Sequence, residues 1–240
     1  MTLLTITQDA CRELRLPVPS TVIDNADKQI ASLLAMSNRG GRTLARDYDW
    51  TALQRLHTFT TDGSGEYTLP SDYSRLIRET EWDRSDNRRL SGPSSPSEWQ
   101  AIKSGSVAAS VVNVRYRIYR ASSEVGRSIY VDPADNSGDT LAFEYVSNGW
   151  CASSGGVVQT AWAADTDVPV LDSDILTLDL IIRWKRANGD DFGSEADEYM
   201  RLFGMLAGQD RPAPVLNMAA GAPSLHLIDS LNIPETGITG

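Results

Sequence analysis

Cysteine and histidine are nearly missing from this chain, and their scarcity removes whole classes of chemistry. The two cysteines, Cys11 and Cys151, lie far apart and match no metal-ligand spacing. Free thiols are expected there rather than a disulfide. The two histidines, His57 and His226, stand alone. No Gly-x-Ser-x-Gly elbow, His-Glu-x-x-His helix or phosphate-cradling glycine loop occurs. No apolar run is long enough for a signal peptide or a membrane span, so no membrane partner is expected. Positive charge is also short: 22 basic side chains against 32 acidic ones leave a net charge of −10. That balance excludes wrapping nucleic acid by phosphate neutralisation. The deficit gathers late, with five basic and eleven acidic side chains in residues 171–240.

What is present is a change of period along the chain. Residues 5–15 read as a short helix, with Thr5 or Thr7 as its cap and Pro17 and Pro19 as its stop. A second stripe places Ile23, Ala26, Ile30, Leu33, Leu34 and Leu44 on one helical face, and Gly40-Gly41 is expected to loosen or bend it. From Trp50 onward come short runs rich in β-branched and aromatic residues, separated by Gly, Asn, Asp and Pro. In one of them Val114, Tyr116 and Ile118 alternate with Arg115 and Arg117. A brief helix is expected over 95–105, capped by Ser97. Residues 148–171 are expected to lie partly packed on the sheet as a strand or flap. Helical spacing returns over 172–188 and 194–209. The fold class is therefore α+β: helices from both chain ends (1–50 and 171–210) form a bundle, and 51–170 is a small antiparallel β-sandwich or barrel.

The most acidic turn, residues 189–199, contains Asp191-Phe192-Gly193, a tripeptide that holds magnesium in protein kinases. The remaining kinase signatures are missing, and adjacent Asp190 and Asp191 do not fit a calcium loop. Asp172 and Asp174 at a helix start, Arg183, Lys185 and Arg186 at its end, Gly189 as terminator and Ser194 as the next cap describe a helical hairpin instead. No metal, cofactor or catalytic residue is assigned. Glu79 and Glu81 resemble a glycosidase pair in type, but strand alternation points both to solvent. Arg84, Arg88, Arg89, Arg115, Arg117 and Arg120 are expected to pair with Glu66, Glu79, Glu81 and Glu144, or with those acids of a neighbouring copy. Trp82, Trp99, Trp150 and Trp162 are expected to be core or interface anchors.

Residues 211–240 hold four prolines and no sustained period, yet Val215, Leu216, Met218, Leu225, Leu227, Ile228, Leu231 and Ile233 are too apolar for a solvated tail. Such a segment wants a foreign surface, and fully extended it spans at most about 100 Å. These eight residues are the expected partner-binding positions of an extended docking arm.

Three stretches carry a family resemblance: Leu-Ala-Arg-Asp-Tyr-Asp-Trp (44–50), Gly-Glu-Tyr-Thr-Leu-Pro-Ser-Asp-Tyr-Ser-Arg-Leu-Ile (65–77), and the hairpin of 162–211 with its Asp-Thr-Asp-x-Pro lead. Together the chain resembles the head-to-tail adaptors of tailed bacteriophages, the group that includes the podovirus tail tubular protein A. The resemblance implies a non-enzymatic virion protein, assembled in the host cytoplasm as a homo-oligomeric ring, typically of twelve copies. Its partners would be the portal protein above, met by the C-terminal arm, and a downstream tail or nozzle protein below. DNA would pass through the lumen without specific binding. The alternatives are a carbohydrate- or peptide-binding β-sandwich module and a carboxylate-dependent cell-wall hydrolase.

Overall fold

The computed structural model describes residues 1–105, 114–120, 126–134 and 138–210. The chain is α+β, as its changing period implies. Helix α1 (Leu3–Glu13) starts two residues before the expected position, because Thr2 rather than Thr5 or Thr7 is its cap. Thr2 Oγ1 accepts the Thr5 N–H, and Thr5 Oγ1 accepts the Thr2 N–H at 2.7 Å. Thr7 is buried and donates its hydroxyl to the Leu3 carbonyl at 3.0 Å. Helix α2 (Lys28–Asp47) begins behind Asp27, whose carboxylate accepts the Gln29 N–H. Ile30, Leu33 and Leu44 of the expected stripe are core, whereas Ile23 and Ala26 precede the helix and Ala26 is exposed.

From Gln54 the chain builds two antiparallel sheets. Strands β1 (Gln54–Thr60), β3 (Tyr73–Leu76), β4 (Trp82–Asp83), β5 (Arg88–Arg89) and β8 (Thr140–Ser147) form one, in the order β1-β8-β4-β5 with β3 also paired to β8. Strands β2 (Glu66–Thr68), β6 (Arg115–Tyr119) and β7 (Ser128–Asp132) form the other, in the order β2-β7-β6. Alternate residues of both sheets meet in one core: Tyr116 from β6, Ile129 and Val131 from β7, and Leu141, Phe143 and Tyr145 from β8. Helix α3 (Pro96–Lys103) interrupts the strands. Its cap is Ser95, not Ser97, with Pro96 in the first turn and Glu98 completing the reciprocal bond to the Ser95 N–H at 2.8 Å.

Residues 148–171 depart from expectation. They form a third small sheet, β9 (Cys151–Ala152) between β10 (Val158–Gln159) and β11 (Val168–Pro169). Its neighbours Trp150, Trp162 and Leu171 lie in the helical core, not in the β-sandwich core. The Asp-Thr-Asp sequence explains the attachment. The Asp165 carboxylate accepts the Val22 and Ile23 N–H groups, and the Asp165 and Asp167 carbonyls accept those of Leu4 and Leu3. Helices α4 (Ser173–Asn188) and α5 (Gly193–Asp210) close the bundle. Helix α4 touches α1, α2 and α5, burying Ile175, Leu176, Leu180 and Ile181 among them. Cys11 and Cys151 are both buried free thiols, and burial pushes Cys151 up to about 12.

The glycine pair of α2 neither breaks nor interrupts the helix, which runs through it. Its role is close approach: a Cβ on Gly41 would fall 2.2–2.4 Å from three atoms of the Trp150 ring, and one on Gly40 would meet Asp179. Gly41→Ala is therefore expected to destabilise the fold by ~1–3 kcal/mol through overpacking. Gly204→Ala, at an open position of α5, should stabilise it by about 0.5–1 kcal/mol through helix propensity. Thermal melts of both variants check the opposite signs.

Candidate interaction surfaces and the acidic clusters

The acidic turn is resolved by local bonding. Asp172 caps α4, accepting the Asp174 and Ile175 N–H groups at 2.9 and 3.2 Å. Gly189 ends the helix at a left-handed φ of 79°, a conformation that costs glycine little. Asp191 accepts the Gly193 N–H at 3.0 Å, and Lys185 reaches across to Glu195 at 2.5 Å. That lysine and nearby N–H and hydroxyl donors hold the Glu195 carboxyl below its ordinary range. Ser194 corrects the expectation: it lies inside the first turn of α5 and donates to Glu195 rather than capping the helix.

Glu79 and Glu81 do not share a face. Glu79 has a left-handed φ of 73°, which breaks the alternation between β3 and β4 and leaves its side chain exposed. Glu81 is buried, and its Oε1 accepts the Tyr116 hydroxyl at 2.6 Å. Burial first, and this bond second, push the Tyr116 phenol well above its ordinary range. Pairing with Tyr116 commits Glu81 to the sandwich core, and the two carboxylates do not face a common space. Asp83, Asp86 and Asp139 bring carboxylate oxygens within 4.8 Å of one another. Arg88 already bridges two of them, Asp83 at 3.1 Å and Asp86 at 2.7 Å, so the cluster is an ion-paired turn.

The arginine partners match expectation at Arg89 and Glu79 and differ elsewhere. Arg88 takes Asp83 and Asp86, Arg89 stands 3.7 Å from Glu79, and Arg117 lies over the Tyr119 ring. Glu66 instead accepts the Tyr130 hydroxyl, and Glu81 accepts that of Tyr116. No sequence signal marks the Glu81–Tyr116 bond, because Tyr116 lies on β6 of one sheet and Glu81 just before β4 of the other. Trp99, Trp150 and Trp162 are core residues as expected.

Trp82 stands apart: it is 41 % exposed and close to Leu56, 55 % exposed, on the outer face of the first sheet. With Thr80, Ala142 and Glu144 they line an open groove of about 410 Å³. Helix α5 offers a second apolar surface. Tyr199, Leu202, Phe203 and Leu206 pack inward while Met200 and Met205 face out. Both surfaces suit protein contacts better than small-molecule chemistry. The expected arm positions Val215, Leu216, Met218, Leu225, Leu227, Ile228, Leu231 and Ile233 lie outside the described residues. No described helix is long and apolar enough to cross a membrane.

A family model described as SU10 adaptor protein matches residues 1–220. Comparison with curated proteins finds no match.

The buried phenols set an alkaline limit. Burial and the Asp72 carboxylate push Tyr145 up to about 12, and burial with Asp179 pushes Tyr199 up to about 12. In the unfolded chain both titrate near 10. Stability is therefore unaffected by these groups below pH ~10, then falls toward 12 as the unfolded state sheds protons first. Melting temperature measured against pH should drop above 10, and Tyr145→Phe should make that drop shallower.

Proposed function

We propose, because the chain belongs to the SU10 adaptor protein family, that it forms a ring beneath the portal of a tailed phage and joins the capsid to the tail. As a phage adaptor it is a structural virion protein that meets other head and tail components. The ring, typically of twelve copies, encloses a channel through which DNA passes without specific binding. Its net charge of −10 suits a wall that repels the phosphate backbone across a layer of water. The arm of residues 211–240 docks on the portal through Val215, Leu216, Met218, Leu225, Leu227, Ile228, Leu231 and Ile233, and the exposed β surface meets the tail component below.

The observation that carries this reading is the family match along residues 1–220. The described residues agree with a role made of surfaces. Glu81, Asp83, Asp86, Asp191 and Glu195, the carboxylates of the candidate sites, are bonded to Tyr116, Arg88, a backbone N–H group or Lys185. Trp99, Trp150 and Trp162, which an exposed glycan platform would need, are buried, and Trp82 alone of the four is exposed.

Electron microscopy of DNA-filled heads lacking this protein, incubated with the purified chain, tests the reading. A ring at the portal vertex is the expected result, and heads that stay bare would refute it. Truncation after Asp210 should leave the melting temperature within about 2 °C while abolishing attachment. Undiminished attachment of the truncated chain would remove the arm from the account.

A further inference from the structure

Helix α4 carries two grooves of opposite charge. One, of about 370 Å³, lies among α1, α4 and α5, where Asp9, Glu13, Asp174 and Glu198 surround the apolar Leu178 and Leu202. The other, of about 400 Å³, lies between α2 and α4 and is lined by Met36, Arg39, Arg183, Arg186 and Ala187. Asp9 is paired with Arg12, and Arg183 with Asp179. Glu13, Asp174 and Glu198 have no ion-pair partner among the described residues, nor do Arg39 and Arg186. All five are exposed.

The helical period fixes how the grooves face. Asp174, Thr177 and Leu178 line the acidic groove, while Arg183, Arg186 and Ala187, each nine positions later, line the basic one. Nine residues at 100° each make two and a half turns, so the grooves lie on opposite sides of α4, offset along its axis by about 13 Å. We propose that these grooves are the two halves of the contact between neighbouring copies: the Arg39–Arg186 groove of one copy receives the Glu13–Asp174–Glu198 surface of the next. The proposal rests on the ring reading above and names the surfaces that close it.

Charge and direction both favour a second copy as the occupant. Each groove has an apolar floor and charged side chains of one sign on its rim, and the other groove supplies the complement. Because they face away from each other, two copies cannot satisfy both at once, and the contact passes from copy to copy. That is the heterologous, head-to-tail arrangement that closes rings. A two-fold contact centred on either groove would set like charges against each other.

Reversal variants added to DNA-filled heads lacking the protein test this. Arg39→Glu with Arg186→Glu makes both sides acidic, and Glu13→Lys with Glu198→Lys makes both basic. Each variant alone should leave about tenfold fewer copies per head than wild type, by quantitative gel or particle averaging. An equimolar mixture should regain wild-type occupancy, because opposite copies then alternate; this rescue also shows that both variants fold. The neutral variant Arg39→Gln with Arg186→Gln should fall between the reversals and wild type. Single reversals that attach like wild type, or a mixture no better than either alone, would overturn the groove pairing while leaving the ring intact. Wild-type chain that does not attach at all would overturn the ring reading itself.

Discussion

The indole of Trp150 is the constraint on which the helical layer depends. Its ring lies over Gly41 of α2, with no room for one more carbon. Its Nε1 donates to the Thr160 carbonyl at 2.9 Å, and its carbonyl accepts the Val170 N–H. Its edge meets Trp162 at 4.7 Å, and Trp162 Nε1 donates to Ser37 Oγ, again on α2. One side chain thereby ties α2 to the segment that leads into α4. These segments are far apart in sequence, so the bundle closes only after the intervening β-region has returned the chain to its start. Asp165 and Asp167 make the same return with backbone bonds, fastening residues 163–167 to Leu3, Leu4, Val22 and Ile23. The Asp-Thr-Asp-x-Pro stretch, which in sequence is a family likeness, is thus a stitch between the N-terminal residues and the segment that leads into α4.

Acidity in this protein divides into two kinds. Asp172, Asp191, Asp83 and Asp72 are held by backbone N–H groups, arginine or hydroxyls within a few residues or across one strand pair. Glu13, Asp174 and Glu198 are instead gathered from three helices onto one surface without an ion-pair partner among the described residues. Local bonding explains the first kind completely, and such bonding is worth roughly a kilocalorie per mole or less when exposed. The second kind has no ion-pair partner among the described residues, and an unneutralised surface invites a partner of opposite sign. Exposed ion pairs of this sort weaken with salt, since charges beyond about 10 Å are screened at 0.1 M.

Periodicity made the long elements legible. Helices α4 and α5, the alternation of β6 and the position of β8 are written in apolar spacing, and the α+β class follows from their order. Helix ends were not legible at the same precision: Thr2, Ser95 and the residues before Ser194 are chosen by which donor is left orphaned, a matter of one or two positions. Gly40-Gly41 read as a weak point because sequence shows glycine's freedom but not the indole that needs its missing side chain. Glu81 read as solvent-facing because the positive φ at Glu79, which ends the alternation, has no signature in that residue type. The opposed grooves were invisible because each is assembled from more than one helix. Their half-turn relation appears only once the contacts of α4 with α1, α2 and α5 are known.

Strand β8 explains why the bundle and the sandwich are one unit despite having separate cores. Successive residues of a strand point to opposite faces. Leu141, Phe143 and Tyr145 enter the sandwich core, while Val146, on the other face, belongs to the helical core. Near its end the strand is therefore buried on both sides, with β1, β3 and β4 hydrogen-bonded to it. Farther back along that outer face the helical cover stops, Glu144 is exposed, and Leu56 and Trp82 stand open beside it. A protein that joins other bodies needs stiffness between its contact surfaces, and a strand shared by two cores supplies it. The Leu56–Trp82 groove and the bundle that carries the charged grooves of α4 share the outer face of that strand, at different points along it. A load applied at one is carried to the other by packed side chains and ladder bonds, with no linker between.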